Sequence, residues 1–313
     1  MDRYNGFCSG RLCVIQPEDI FLRLPCDFTL FESQAQVQAP YFDPTTPPLQ
    51  SSTWTIGSMA YLINITTIWG DVMANIQRSA QRPVPLTSNA AFLTFYDAVL
   101  PRLHAWRDSL PPSYTFSPSN LKIAADSGKL GTFMTMHTVY HTIQLKLHRH
   151  IQKSTFSSSQ LAQHVSRSKQ HAESIIAIMD ALAARRSATT PSRSSEHDIA
   201  PGKFSSPFLG YAIVAAIDVL SAEFPLSSLP TLLPSFDGAL SILIELANFW
   251  NISRVQHAFI VKRLRDLAEL TTTGDALSKA ISRLGVRRET NGYFVMRDSM
   301  EKTLPRDFDC IYA

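Results

Sequence analysis

Trp54–Arg78 reads WTIGSMAYLINITTIWGDVMANIQR, with apolar residues at Met59, Leu62, Ile63, Ile65, Ile68, Trp69, Val72, Met73 and Ile76. Steps of three and four place these residues along one face of a helix, since 3.6 residues complete a turn. Ser51-Ser52-Thr53 ahead of the run supplies side-chain oxygens that can cap the first amides. Pro83 and Pro85 close it, because proline offers no amide hydrogen and clashes with the preceding turn.

The same period recurs downstream. Thr87-Ser88-Asn89 caps a run over Ala90–Leu110, with Phe92, Phe95, Tyr96, Val99, Leu103 and Trp106 facing inward. Pro101 predicts a kink or a break within it. After Pro111-Pro112 and a connection, Lys129–Lys153 and Ser159–Ala184 read as helices, the latter capped by Ser157-Ser158-Ser159. Pro207–Glu223, Phe236–Trp250, Ser253–Glu269 and Asp275–Leu284 complete the set, with Gly285 as the final stop. No stretch of useful length alternates with the strand period. The expected fold is all-α, an irregular multi-helix bundle of about eight helices.

Residues 1–52 are the exception. Pro17, Pro25, Pro40, Pro44, Pro47 and Pro48 forbid a long helix there, so an extended arm is expected. Residues 53–285 form the helical body, with a Ser- and Pro-rich surface loop over Arg186–Ser206. Residues 286–313 form a tail of mixed character.

Of the 313 residues, 45% are hydrophobic and 18% charged, enough apolar material for a sizeable core. The formal net charge is +3 and the basic residues are scattered, in clusters no larger than pairs such as Arg185-Arg186 and Arg287-Arg288. Pairs neutralise few phosphates, which argues against a nucleic-acid face. The best candidate for a membrane span, Pro207–Phe224, carries Asp218 and Glu223 and is too short and too charged, so a buried core helix is expected there. Cys8, Cys13, Cys26 and Cys310 contain no C-x-x-C pair, so reduced thiols are expected and no zinc site.

Chemistry has one candidate stretch, Met136–His150, MHTVYHTIQLKLHRH. His137 and His141 are four apart and share a helix face, with His148 seven further on. Two histidines at that spacing can hold zinc, but the zinc-protease pattern needs a glutamate after the first, and Thr138 stands there. No nucleophile elbow, glycine-rich phosphate loop or assignable third ligand accompanies them, and no catalytic or metal residue is assigned. Asp19, Asp27 and Glu32 lie near Arg11 and Arg23, which points to ion pairs pinning the arm.

Two stretches resemble the fungal-specific transcription factor domain, the middle homology region of zinc binuclear cluster regulators. The first is Asp2–Glu32, with Gly10-Arg11, Glu18-Asp19-Ile20, Arg23-Leu24-Pro25-Cys26-Asp27 and Phe31-Glu32. The second is Met136-His137, Tyr140-His141 and Leu147-His148-Arg149, where the family usually has proline after the arginine and this chain has His150. Weaker echoes are Trp106 with Leu110-Pro111-Pro112, Ser206-Pro207-Phe208, and Trp250 after an apolar helix. The resemblance implies a nuclear regulatory body that binds protein partners, itself included, or a small-molecule effector. It implies structural roles for Arg23, Leu24, Pro25, Cys26, Asp27, His137, Tyr140, His141, His148 and Arg149. It also implies that the chain corresponds to the later part of a longer regulator. The zinc cluster, the family's cofactor and its means of touching DNA, would then lie in an N-terminal module outside this chain. Apolar faces normally covered by the remainder would be exposed and favour self-association. Two other readings compete: a helical enzyme of small-molecule metabolism using the histidine stripe, and a truncated interaction protein competing with a full-length regulator.

Overall fold

A computed structural model describes residues 14–48, 55–80, 90–151, 156–188, 206–223 and 232–272. Among these residues there are nine α-helices and no strand. They are α1 (Phe28–Glu32), α2 (Ser58–Ala80), α3 (Ala90–Ser109), α4 (Pro118–Asp126), α5 (Leu130–Arg149), α6 (Ser158–Ala188), α7 (Phe208–Glu223), α8 (Asp237–Phe249) and α9 (Asn251–Thr272). The all-α expectation holds. Asp275–Leu284, Gly285 and the tail lie outside the described residues, as do Ser51–Thr53 and Thr87–Asn89. No helix among the described residues is long and apolar enough to cross a membrane.

The chain divides into two compact units, Met1–His164 and Val165–Ala313, with the boundary inside α6. In the first, α2 packs against α3 and α5, and α4 against α5. Ile65, Ile68, Trp69, Val72 and Met73 of α2 are buried as the periodicity predicts, and Ala60 and Tyr61, outside the predicted stripe, are buried with them. Met59 stays exposed, and Leu62, Ile63 and Ile76 flank the stripe half-buried.

Helix α2 starts at Ser58, not Trp54. Thr55–Gly57 is engaged with the arm instead: the Thr55 amide donates to the Gln38 carbonyl and the Gly57 amide to the Pro25 carbonyl. A Cβ on Gly57 would run into the Cys26 carbonyl oxygen, so the close backbone approach requires glycine. Helix α3 runs unbroken through Pro101, whose ring lies on the exposed face. Buried Tyr96, Val99, Leu103 and Trp106 on either side hold both halves down, and that packing outweighs the lost hydrogen bond.

Helix α4 lies where the sequence suggests a mere connection. Ser117 caps it by accepting from the Asn120 amide, Pro118 occupies the first turn, and Leu121 and Ala124 are buried. Its end is a Schellman turn. Gly128 has φ +72°, its amide donates to the Ala125 carbonyl, and the Lys129 amide donates to that of Ala124. Helix α5 stops at Arg149 rather than Lys153, with His150 as its C-cap. Helix α6 opens with a reciprocal cap, Ser157 Oγ accepting from the Gln160 amide while Gln160 Oε1 accepts from the Ser157 amide.

In the second unit α7, α8 and α9 pack on one another. Every residue from Phe208 to Ala222 is buried, which accounts for the long apolar run, with Asp218 and Ser221 as its buried polar members. Helix α6 extends to Ala188, so Arg186 is helical, not the start of a loop. There it pairs with Glu245 on α8. Residues 189–205 of the expected loop lie outside the described residues.

Candidate functional site: the arm clasp and the histidine helix

The two motif stretches both fall in the first unit. In the arm, Leu22–Leu24 doubles back on Pro40–Phe42. The Leu24 amide donates to the Pro40 carbonyl and the Phe42 amide to that of Leu22, each at 2.8 Å, framing a single bridge between Arg23 and Tyr41. Arg23 Nη1 donates to the Ala39 carbonyl at 2.6 Å, and the guanidinium lies 4.6 Å from the centre of the Tyr41 ring. Arg23 therefore fixes the turn-back through a carbonyl and a ring. Leu24 is buried, Pro25 presents its carbonyl to Gly57, and Cys26 is half-buried with its carbonyl against that glycine.

Asp27 does two things. Its Oδ1 caps α1 by accepting from the Thr29 amide at 3.1 Å and the Thr29 hydroxyl at 2.8 Å. Its Oδ2 accepts from Lys129 Nζ at 2.6 Å. Burial pushes the carboxyl pKa up, but the bonds from Lys129 and Thr29 outweigh it and hold the group below the usual carboxylate range. Lys129 is the N-cap residue of α5 and offers no capping oxygen. A cation at that end opposes the helix dipole, and the Asp27 carboxylate offsets it.

Helix α5 carries the second stretch. His137 is buried among Phe133, Phe116 and Trp106, with ring centres 4.7, 5.5 and 6.5 Å away. Its Nε2 lies 2.8 Å from the Tyr114 carbonyl. A carbonyl only accepts, so Nε2 carries the proton and donates. Burial pushes the His137 pKa down to about 4 against that hydrogen bond, so the ring is neutral at physiological pH. Tyr140 stacks on Trp106 at 5.5 Å and 21°, and Trp106 Nε1 donates to the Tyr61 carbonyl at 2.9 Å. That chain of contacts ties α5 to α3 and α2. His141 is half-buried beside the Tyr140 ring. His148 is buried and meets His164 of α6, away from the other two histidines of the stripe. Arg149 is half-buried at the end of the helix. Among the described residues no group of three metal-binding side chains comes together.

Sequence reasoning passed over Lys129, Tyr114 and His164. The signal for Lys129 was its place at a helix start, where a lysine is disfavoured without an acidic partner. Tyr114 acts through its carbonyl, which its side chain does not advertise. His164 lies on an otherwise ordinary amphipathic stretch.

No family model matches the chain, and no solved structure matches it. Among curated proteins it is similar to an uncharacterized transcriptional regulatory protein of Schizosaccharomyces pombe, 26% identical over 169 residues. The match covers 48% of this chain and 20% of the relative, so the chain spans about a fifth of the length of the curated relative it matches.

Proposed function

We propose that this chain is the regulatory, non-DNA-contacting body of a nuclear transcription regulator of the fungal-specific transcription factor domain type. It acts by binding protein partners, further copies of itself included, or a small-molecule effector, and any zinc cluster lies outside it. The carrying observation is the 169-residue similarity to a protein named as a transcriptional regulator. Two structural features support the reading. The arm presents Phe21, Leu22, Phe28 and Phe31 to solvent, each at least 60% exposed, and large apolar side chains exposed so close together in sequence offer material for a binding surface. The histidine stripe that an enzyme would need is turned inward at His137 and His148. The test is a tethering assay. Fused to an unrelated DNA-binding domain, the chain should change transcription of a reporter that carries the cognate site. Reporter output equal to that of the bare DNA-binding domain, with the fusion present in the nucleus, would overturn the reading.

A further inference from the structure

The end of α5 and the beginning of α6 meet through two imidazoles. His148 Nδ1 stands 2.9 Å from His164 Nδ1, and His148 is 1% exposed. Aromatic rings surround the pair. Phe92, Tyr96 and Phe156 lie 5.8, 5.9 and 5.3 Å from the His164 ring, and Tyr96 lies 5.5 Å from that of His148. A nitrogen–nitrogen contact of that length needs one hydrogen between the atoms, so one Nδ1 donates and the other accepts with its lone pair. Two protonation states satisfy it. Both rings can be neutral with opposite tautomers, or one imidazolium can donate to a neutral ring, which strengthens the bond. A second added proton puts a hydrogen on both Nδ1 atoms, and two donors then face each other.

We propose that His148 and His164 form a proton-operated latch that joins the start of α6 to the end of α5 and opens when the pair takes up its second proton. The surroundings favour one charge and resist two. From α3 the facing groups are Phe92 and Tyr96, rings that accept a single cation. Tyr96 is the titratable group among them, and its neighbour Asp97 is exposed. Phe156 brings no charge. Lys146 and Arg149 of α5 and its C-cap residue His150 lie within two residues of His148. These neighbours are cations or become so on acidification, and each raises the cost of another positive charge. The two rings therefore titrate as one coupled unit, not independently. Burial and the neighbouring cations both oppose the second proton, so the latch is closed at pH 7.5 and opens only on acidification.

The full chain, labelled with nitrogen-15 in its histidines, tests this by NMR titration. At pH 7.5 the two rings should show opposite tautomers. On acidification they should titrate in two separated steps, with the amides around His164 shifting at the second. In His164→Gln the His148 ring should revert to a single independent step. Should that variant fail to fold, His164→Phe keeps a ring in the cage, lacks the proton site and must move the His148 titration in the same way. The same tautomer on both rings at pH 7.5, or a His148 titration unchanged in either variant, would overturn the latch.

Discussion

Lys129 Nζ stands 2.6 Å from Asp27 Oδ2, joining the arm to the foot of α5 across 102 positions of sequence. Both side chains are largely screened from water, at 28% and 20% exposure. Lys129→Met should cost about 1 kcal/mol, the upper range for a pair open to solvent on one side. Asp27→Ala loses the α1 cap as well and should cost about 1–2 kcal/mol. Urea unfolding of both variants and of the double variant checks this. Adding Lys129→Met to Asp27→Ala should cost almost nothing, and a fully additive loss would show that the two residues do not act together. The sign with pH follows from the lowered Asp27 pKa. The contribution is present above the range of a free carboxyl and is lost as acid protonates Asp27 below it.

Gly57→Ala places a methyl against the Cys26 carbonyl oxygen, a backbone atom that cannot step aside without moving the arm. Overpacking of that kind costs about 1–3 kcal/mol. The loss should be local to the arm. Limited proteolysis should cut residues 14–48 faster in the variant while the helical remainder of the first unit stays protected. Unchanged cleavage of the arm would contradict the close approach.

The fold was legible where burial is one-sided. Helix α2 announces itself because its buried residues recur at the helical period, and the Ser157 cap of α6 is spelled out in adjacent serines. The helix starts that shifted did so for tertiary reasons. The residues before α2 bond to the arm, at Gln38 and Pro25, partners distant in sequence that no local pattern encodes. Helix α4 was missed although Ser117-Pro118 is a recognised start signal, because its apolar content is low. At the site, the sequence located Asp27 and the histidines but not their partners. A carbonyl such as that of Tyr114 carries no side-chain signature, and the His148–His164 contact depends on how α5 and α6 are placed in three dimensions.

Asp218 is 1% exposed on the buried α7, with Arg263 Nη2 of α9 at 2.5 Å. Neither residue can be removed singly at low cost. Arg263→Met leaves a carboxylate in an apolar interior and should destabilise the second unit by about 3–5 kcal/mol. Replacing both, Asp218→Leu with Arg263→Met, should recover most of that loss, since a well-packed apolar pair avoids the desolvation of two ions. Thermal melts of the two variants decide it. A double variant less stable than Arg263→Met would mean that the pair contributes more than its desolvation costs.

His137 gives the chain an acid sensitivity separate from that of the His148–His164 pair. In the folded state burial lowers its pKa to about 4, whereas the unfolded ring titrates near 6.5. Above pH 6.5 neither state is charged and the contribution is complete. Between 6.5 and 4 the unfolded chain takes up a proton that the folded chain refuses, so stability falls as pH falls. Below about 4 both states are charged and the loss levels off, at on the order of 3 kcal/mol. His171 in the second unit, lowered to about 4 by burial and then by Arg167, adds a slope of the same sign. His137→Gln keeps a donor for the Tyr114 carbonyl and removes the proton site. Its unfolding free energy, measured from pH 7.5 to 5, should therefore decline less steeply than that of the parent chain, while the slope due to His171 persists. An identical decline in both would place His137 in water, contrary to its contact with Tyr114.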